Sequence, residues 1–323
     1  MIGLDLMKLR PKADGSTDDL AARAGWMYYL AGMTQGQIAE ELDLSRQRVQ
    51  RLVARAVADG LIHVRLDHPI AACLNMERSL KKKYDLQFVR VAPTLPDRSD
   101  SFRSVAAVGA GEIERVLLQE PELTMAVGTG RTLRAVANEM TDLVCPGHSL
   151  VSLIGNSNFD GSASFYEVLQ RFAEKIGARY YPMPLPVIAK SREERDFYRS
   201  LPHVERVRER AKNCDVTLVG IGELGPNAPL VVDGFLSPGA MADLVASGGV
   251  GEIAGWAFDS TGSYLKGGIN DCTNGVRVEP SDKPTIGIAV GEAKYPGLLA
   301  AIKGKLINCL VTDEACAEFL LRD

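Results

Sequence analysis

From Thr34 to Gly60 the apolar residues of this chain fall at helical spacing. Ile38, Ala39 and Leu42 mark the inner face of one short helix, and Val49, Leu52, Val53 and Ala56 recur at i, i+3, i+4 and i+7 along a second. Thr34 and Ser45 stand where each helix needs a capping hydroxyl, and Asp43-Leu44 forms the turn between them. Upstream, Thr17-Asp-Asp-Leu20 opens a further helix running to about Leu30, with Leu20, Ala24, Met27, Tyr28 and Leu30 facing inward and Gly32 ending it. Downstream, Leu61-Ile-His-Val-Arg-Leu66 alternates as a short strand would. Together these predict a winged helix-turn-helix over residues 1–68.

Asp67-His-Pro69 breaks the pattern, because proline lacks a donor and disfavours helix before it, and a second domain, 69–323, begins there. Ala71 to Tyr84 reads as its first helix, with Leu74 and Leu80 apolar; the Lys81-Lys82-Lys83 end reads as a solvated helix terminus in preference to a DNA contact. From Leu86 the period changes again. Short apolar runs (Phe88–Val91, Thr124–Val127, Leu150–Ile154, Val216–Val219, Thr285–Val290, Leu306–Val311) alternate with helical segments at 103–118, 131–140, 162–177, 203–213, 295–303 and 314–321. That alternation predicts an α/β, Rossmann-like domain with parallel strands buried on both faces. Ligands of such sheets lie beyond the carboxyl ends of the strands.

Composition narrows the class. With 323 residues, 46% hydrophobic and 24% charged, the chain has the make-up of a soluble globular protein. No apolar run is long enough for a membrane span and the amino terminus does not resemble a signal peptide, so a cytoplasmic protein without a membrane partner is expected. The six cysteines form no C-x-x-C pair and read as buried thiols, the four histidines lack metal spacing, and neither a metal nor a cofactor is expected.

Charge is uneven in a way that matters. The net charge is −4, yet between Ser45 and Arg65 five arginines stand against one acid, Asp59. Arg46, Gln47, Arg48, Gln50 and Arg51 occupy the outer face of the second helix, where arginine can bond guanine and glutamine can bond adenine. Thr34, Gln35 and Ser45, at the two helix starts, are placed to hold phosphates. A solvated face on an ordinary helical hairpin is the competing reading.

After the second run of the α/β part comes Gly128-Thr129-Gly130-Arg131-Thr132, leading straight into a helix. Its amides, hydroxyls and guanidinium fit an anion cradle, although its composition fits a plain tight turn equally well. Asn156 follows the third run in a polar loop. Gly220-Ile-Gly222-Glu223-Leu-Gly225 matches G-x-G-x-x-G literally, but Pro226 and Pro229 stand where a dinucleotide-binding helix should open, and that reading is rejected. Asp233, Glu252 and Lys294 add polar groups after later runs.

TQGQIAEELDLSRQRVQRLVARAVADGLIHV, AVGTGRTL, LVGIGEL, GEIAGWAFDSTG and the closing IAVGEAKYPGLLAAIKGKLINCLVTDEACAEFLL resemble the SorC-type bacterial transcriptional regulators, over nearly the whole chain. The resemblance implies a helix-turn-helix joined to a phosphosugar-isomerase-like effector domain. It further implies that Gly128 to Arg131 hold an effector phosphate, that Glu252 and Lys294 contact the sugar, and that the chain binds operators as a dimer or a dimer of dimers. Where some relatives carry an arginine after the third strand, this chain has Leu153-Ile154-Gly155-Asn156, which favours a singly phosphorylated or uncharged sugar or polyol over a bisphosphate. The alternative is an enzyme with Glu223, Asp233 or Glu252 as general base. A regulator is preferred, because no His-Asp-Glu cluster follows a strand and catalysis would leave the helix-turn-helix unexplained.

Overall fold

The computed structural model describes residues 17–62, 71–94, 101–157 and 167–323. The chain separates into two compact units, Met1–His68 and Pro69–Asp323.

The first unit contains α1 (Thr17–Tyr29), α2 (Gln35–Glu41) and α3 (Arg46–Ala58) around a core of Ala21, Ala24, Ile38, Val49, Leu52, Val53 and Ala56. Thr34 caps α2 through a reciprocal box: the Gln37 N–H donates to Thr34 Oγ1 at 3.3 Å and the Thr34 N–H donates to Gln37 Oε1 at 2.9 Å. Ser45 caps α3 by accepting from the Arg48 N–H at 3.3 Å. The inward face of α1 differs from the expected one. Tyr28 and Leu30 are exposed, at 38% and 70%, and small residues face α3 instead. The reason is a close approach, since a Cβ on Gly25 would lie 2.2 Å from Ile62 Cδ1 and 2.9 Å from Ala56 Cβ. Of the expected wing, only Leu61 and Ile62 are described; they form a bend, with the Ile62 N–H donating to Ala56 O at 3.0 Å, and the remainder lies outside the described residues.

The second unit is a seven-stranded parallel sheet between two helical layers. Its strands are β1 (Phe88–Ala92), β2 (Thr124–Val127), β3 (Ser149–Ser157), β4 (Arg179–Pro186), β5 (Val216–Gly220), β8 (Thr285–Ile288) and β9 (Cys309–Asp313), in the order β1-β9-β8-β5-β2-β3-β4; β6 (Gly251–Ile253) and β7 (Trp256–Phe258) form a separate antiparallel hairpin. One face is covered by α5 (Ser101–Gln119), α6 (Arg131–Glu139) and α7 (Val168–Ile176), whose Ile113, Leu133 and Phe172 pack on Met125, Leu218 and Ile286. The other carries α4 (Ala71–Tyr84), α9 (Pro202–Lys212), α12 (Tyr295–Lys303) and α13 (Glu314–Arg322), packed on Val89, Val151 and Leu310. Cys73, Cys214, Cys309 and Cys316 are buried, Cys145 and Cys272 partly so, and all six are free thiols. Lys83 is not simply solvated, because its Nζ donates to Leu320 O and Leu321 O at 3.0 and 3.2 Å and so closes the carboxyl end of α13.

Several elements were not expected. β4 carries three prolines, which an inner strand would not tolerate, but it lies at the sheet edge, where an unused donor can face outward. α8 (Arg192–Ser200), α10 (Pro229–Val232), α11 (Pro238–Ala246) and the hairpin β6–β7 are likewise new. The hairpin turns on Ala254 and Gly255, both at positive φ (+51° and +82°), a tight two-residue connection.

The chain runs outward from β2 through β3 to β4, then returns beside β2 as β5 and proceeds the other way through β8 and β9. The sheet therefore reverses direction between β2 and β5. In an open α/β sheet, that reversal opens a crevice at the strand carboxyl ends.

Candidate functional site

On the first unit, α3 presents one uninterrupted polar face. Arg46, Gln47, Arg48, Gln50 and Arg51 are all exposed, whereas Val49, Leu52, Val53 and Ala56 are buried. Thr34, Gln35 and Ser45 cluster at the starts of α2 and α3, with Thr34 and Ser45 exposed and Gln35 half-buried. Asp43 adopts a left-handed φ of +54°, and this residue sets the turn between the two helices. Arg55 is committed elsewhere. Its Nη2 lies 2.8 Å from Asp18 Oδ1 and its Nε lies 2.8 Å from Asp59 Oδ2, so it ties α1 to the end of α3 and its charge is already answered.

On the second unit, the crevice between β2 and β5 is a pocket. Its floor is Gly128 to Thr132, after β2, and Gly220 to Gly222, after β5. The amide of Gly128 does not point into it; that N–H donates to Leu218 O at 2.8 Å and belongs to the sheet. The free donors come one step later. Gly130 is the N-cap of α6, at φ +117° with nothing within 4 Å of where a Cβ would stand, and no side chain caps the first amides of the helix. Thr132 is buried, and Lys294 Nζ lies 3.5 Å from its hydroxyl. Lys294 arrives from the short turn Glu292–Lys294 that follows β8.

Glu252 reaches the pocket from the hairpin. Its Oε2 accepts from the Gly255 N–H at 2.7 Å, and its backbone is paired with Gly222 through bonds of 2.9 and 3.0 Å. A Cβ on Gly222 would stand 1.9 Å from Glu252 Oε1, so only glycine leaves the carboxylate its place. Burial pushes the Glu252 carboxyl above its usual range, opposed by the Gly255 amide and Lys294. Burial likewise pushes the Lys294 ammonium down, opposed by Glu223 and Glu252. Glu223 stands at the rim, its Oε1 3.7 Å from Arg131 Nη2. Asp233 closes α10 and lines the same cavity.

Asn156 is not brought there. The third strand runs on through Ser157, paired with β4 to Pro186, so Asn156 is an exposed strand residue and not part of a loop at the crevice; Ile154 lines the pocket instead. An apolar wall of Ile154, Val187, Leu230, Phe235 and Ala254 completes the cavity. Sequence reasoning missed this wall, because Val187, Leu230 and Phe235 belong to segments with no helical or strand period. The literal G-x-G-x-x-G leads only into the four-residue α10, with no long helix to receive a pyrophosphate.

The family described as "Putative sugar-binding domain" matches residues 68–322, and that described as "MarR family" matches residues 24–69. The erythritol catabolism regulatory protein EryD of Brucella abortus (strain 2308) is 32% identical over 305 residues, covering 94% of this chain and 96% of that one. The transcriptional regulator LsrR of Escherichia coli (strain K12) is 30% identical over 315 residues, covering 94% and 95%. The full-length sorbitol operon regulator SorC of Klebsiella pneumoniae superposes with a TM-score of 0.71 at 25% identity, covering 94% and 99%. The chain belongs to the SorC-type transcriptional regulators. The regulator joins a DNA-binding helix-turn-helix to a sugar-binding domain, and its two sites have separate tasks. No helix among the described residues is long and apolar enough to cross a membrane.

Proposed function

We propose that the chain binds an operator sequence through Arg46, Gln47, Arg48, Gln50 and Arg51, with Thr34, Gln35 and Ser45 on phosphates, and that a small polyhydroxy effector in the crevice controls that binding. The effector is a sugar, a polyol or a singly phosphorylated sugar. The observation that carries this reading is the pocket at the sheet reversal. It combines open amides and hydroxyls at the start of α6, carboxylates at Glu252 and Asp233, an ammonium at Lys294 and an apolar wall for the C–H face of a carbon chain.

The domain acts as a sensor and not as a catalyst. Enolisation would need a carboxylate free to lift a proton from carbon. Of the candidate bases, Glu252 is held in place, with one oxygen bonded to the Gly255 amide and the other against the Gly222 backbone, and the named relatives are regulators, which supports the sensor. The protein works in the cytoplasm, as a dimer or a larger symmetric assembly. Calorimetry with sugars, polyols and sugar phosphates, run beside operator gel shifts, tests the reading. A ligand that binds wild type should alter its operator complex, and Lys294→Met should lose at least tenfold in ligand affinity, about 1.4 kcal/mol. Turnover of the bound compound, or ligand affinity unaffected by Lys294→Met, would refute it.

A further inference from the structure

The charges around the pocket do not favour an anion. Two cations line it, Arg131 and Lys294, beside two carboxylates, Glu252 and Asp233, and a third carboxylate, Glu223, stands at the rim against Arg131. Both cations are already answered. Arg131 Nη2 lies 3.7 Å from Glu223 Oε1, and Lys294 sits in the field of both Glu223 and Glu252. Glu223 also has an unmet need, since its Oε2 is buried and no protein group among the described residues donates to it. A buried carboxylate oxygen requires a donor. A phosphate dianion has none to offer and adds nearly two negative charges to a site whose two cations already face carboxylates. A hydroxyl group offers its proton.

We propose that Glu223 is a charge filter: it occupies the anion-binding capacity of Arg131 and accepts from a ligand hydroxyl, so the pocket takes an uncharged polyol in preference to that polyol's phosphate ester. This rests on the reading of the crevice as the effector site. The amides at the start of α6 then meet a hydroxyl oxygen, and Glu223 accepts a hydrogen bond from a hydroxyl group of the same carbon chain. The chemical class selected is a neutral, open-chain or cyclic polyalcohol small enough to lie along the apolar wall.

The test is calorimetry on the full-length protein at neutral pH, with erythritol, xylitol and sorbitol, their terminal monophosphates, and inorganic phosphate as probes. Wild type should bind at least one polyol tenfold or more tighter than its own monophosphate. Glu223→Gln, nearly isosteric, removes the competing charge, and the polyol-to-phosphate ratio should fall at least tenfold, with inorganic phosphate binding tighter than in wild type. Thermal unfolding establishes that the variant is folded; should it not be, the wild-type ratio decides alone. A monophosphate that binds wild type as tightly as its polyol, or a ratio unmoved in folded Glu223→Gln, overturns the charge filter and leaves the effector site standing. No binding by any polyol or monophosphate to wild type or variant overturns the effector site and the filter together.

Discussion

Arg55 shows how a residue's neighbours decide its use. Composition alone places it among the arginines available to DNA, but its ion pairs to Asp18 and Asp59 hold it within the first unit. Arg46 and Gln47 have no such partner on α1 and stand exposed at the start of α3. Arg46→Ala or Gln47→Ala should therefore weaken the specific operator by about 1–3 kcal/mol while changing random DNA far less. Arg55→Ala should instead lower the thermal midpoint and leave the ratio of specific to random affinity unchanged. Gel-shift titrations at fixed salt, with a melting curve for each variant, separate the two roles; equal losses on both DNAs for Arg46→Ala and Gln47→Ala would show that the reading face lies elsewhere. In the pocket, Glu252 is decided by Gly222 in the same way. Gly222→Ala should displace the carboxylate and reduce effector affinity at least tenfold, and a calorimetric titration indistinguishable from wild type would remove Glu252 from the site.

Elements are set by their ends as much as by their apolar stripes. The start of α3 depends on a single hydroxyl, since Ser45 Oγ accepts from the Arg48 amide. Ser45→Ala should cost about 1 kcal/mol of stability through the lost cap. Because the cap holds the first turn, where Arg46 and Gln47 sit, operator affinity should fall with it; Ser45→Asp, which caps equally well, should restore the melting temperature, and failure to do so would mean the cap is not what holds the turn. β3 makes the complementary point. Its apolar run stops at Ile154, yet the strand continues to Ser157 because β4 is there to pair with it, and that extension carries Asn156 away from the crevice. No local preference announces this, because the partner strand lies at the sheet edge and is rich in proline and tyrosine.

At the scale of the whole molecule, the question is how a single reading helix achieves selectivity. One α3 spans only a few base pairs, so useful discrimination needs two half-sites related by symmetry and hence at least a dimer. Sedimentation at micromolar concentration should give a mass of twice the 34.9 kDa chain or more, and a palindromic operator should bind more tightly than an isolated half-site. A monomer in both the presence and absence of operator would refute this.

Local pattern by itself determined the helix-turn-helix, because caps at Thr34 and Ser45 and the stripe Val49, Leu52, Val53 and Ala56 act over a few residues. It also determined the alternation of apolar strands with helices and the loop Gly128 to Thr132, since a parallel sheet buried on both faces leaves continuous apolar runs. Tertiary structure decided the rest. Strand order placed the reversal between β2 and β5 and so chose which loops meet; it brought together Arg131, Glu223, Glu252 and Lys294, which are far apart along the chain, and excluded Asn156. Hairpin β6–β7, three residues a strand, carries no readable period, and the apolar wall from Val187, Leu230 and Phe235 exists only because distant segments converge. The physical reason is range. Capping and amphipathic burial are settled between near neighbours, whereas the charge balance of a cavity depends on groups that only the folded chain places within a few ångströms of one another.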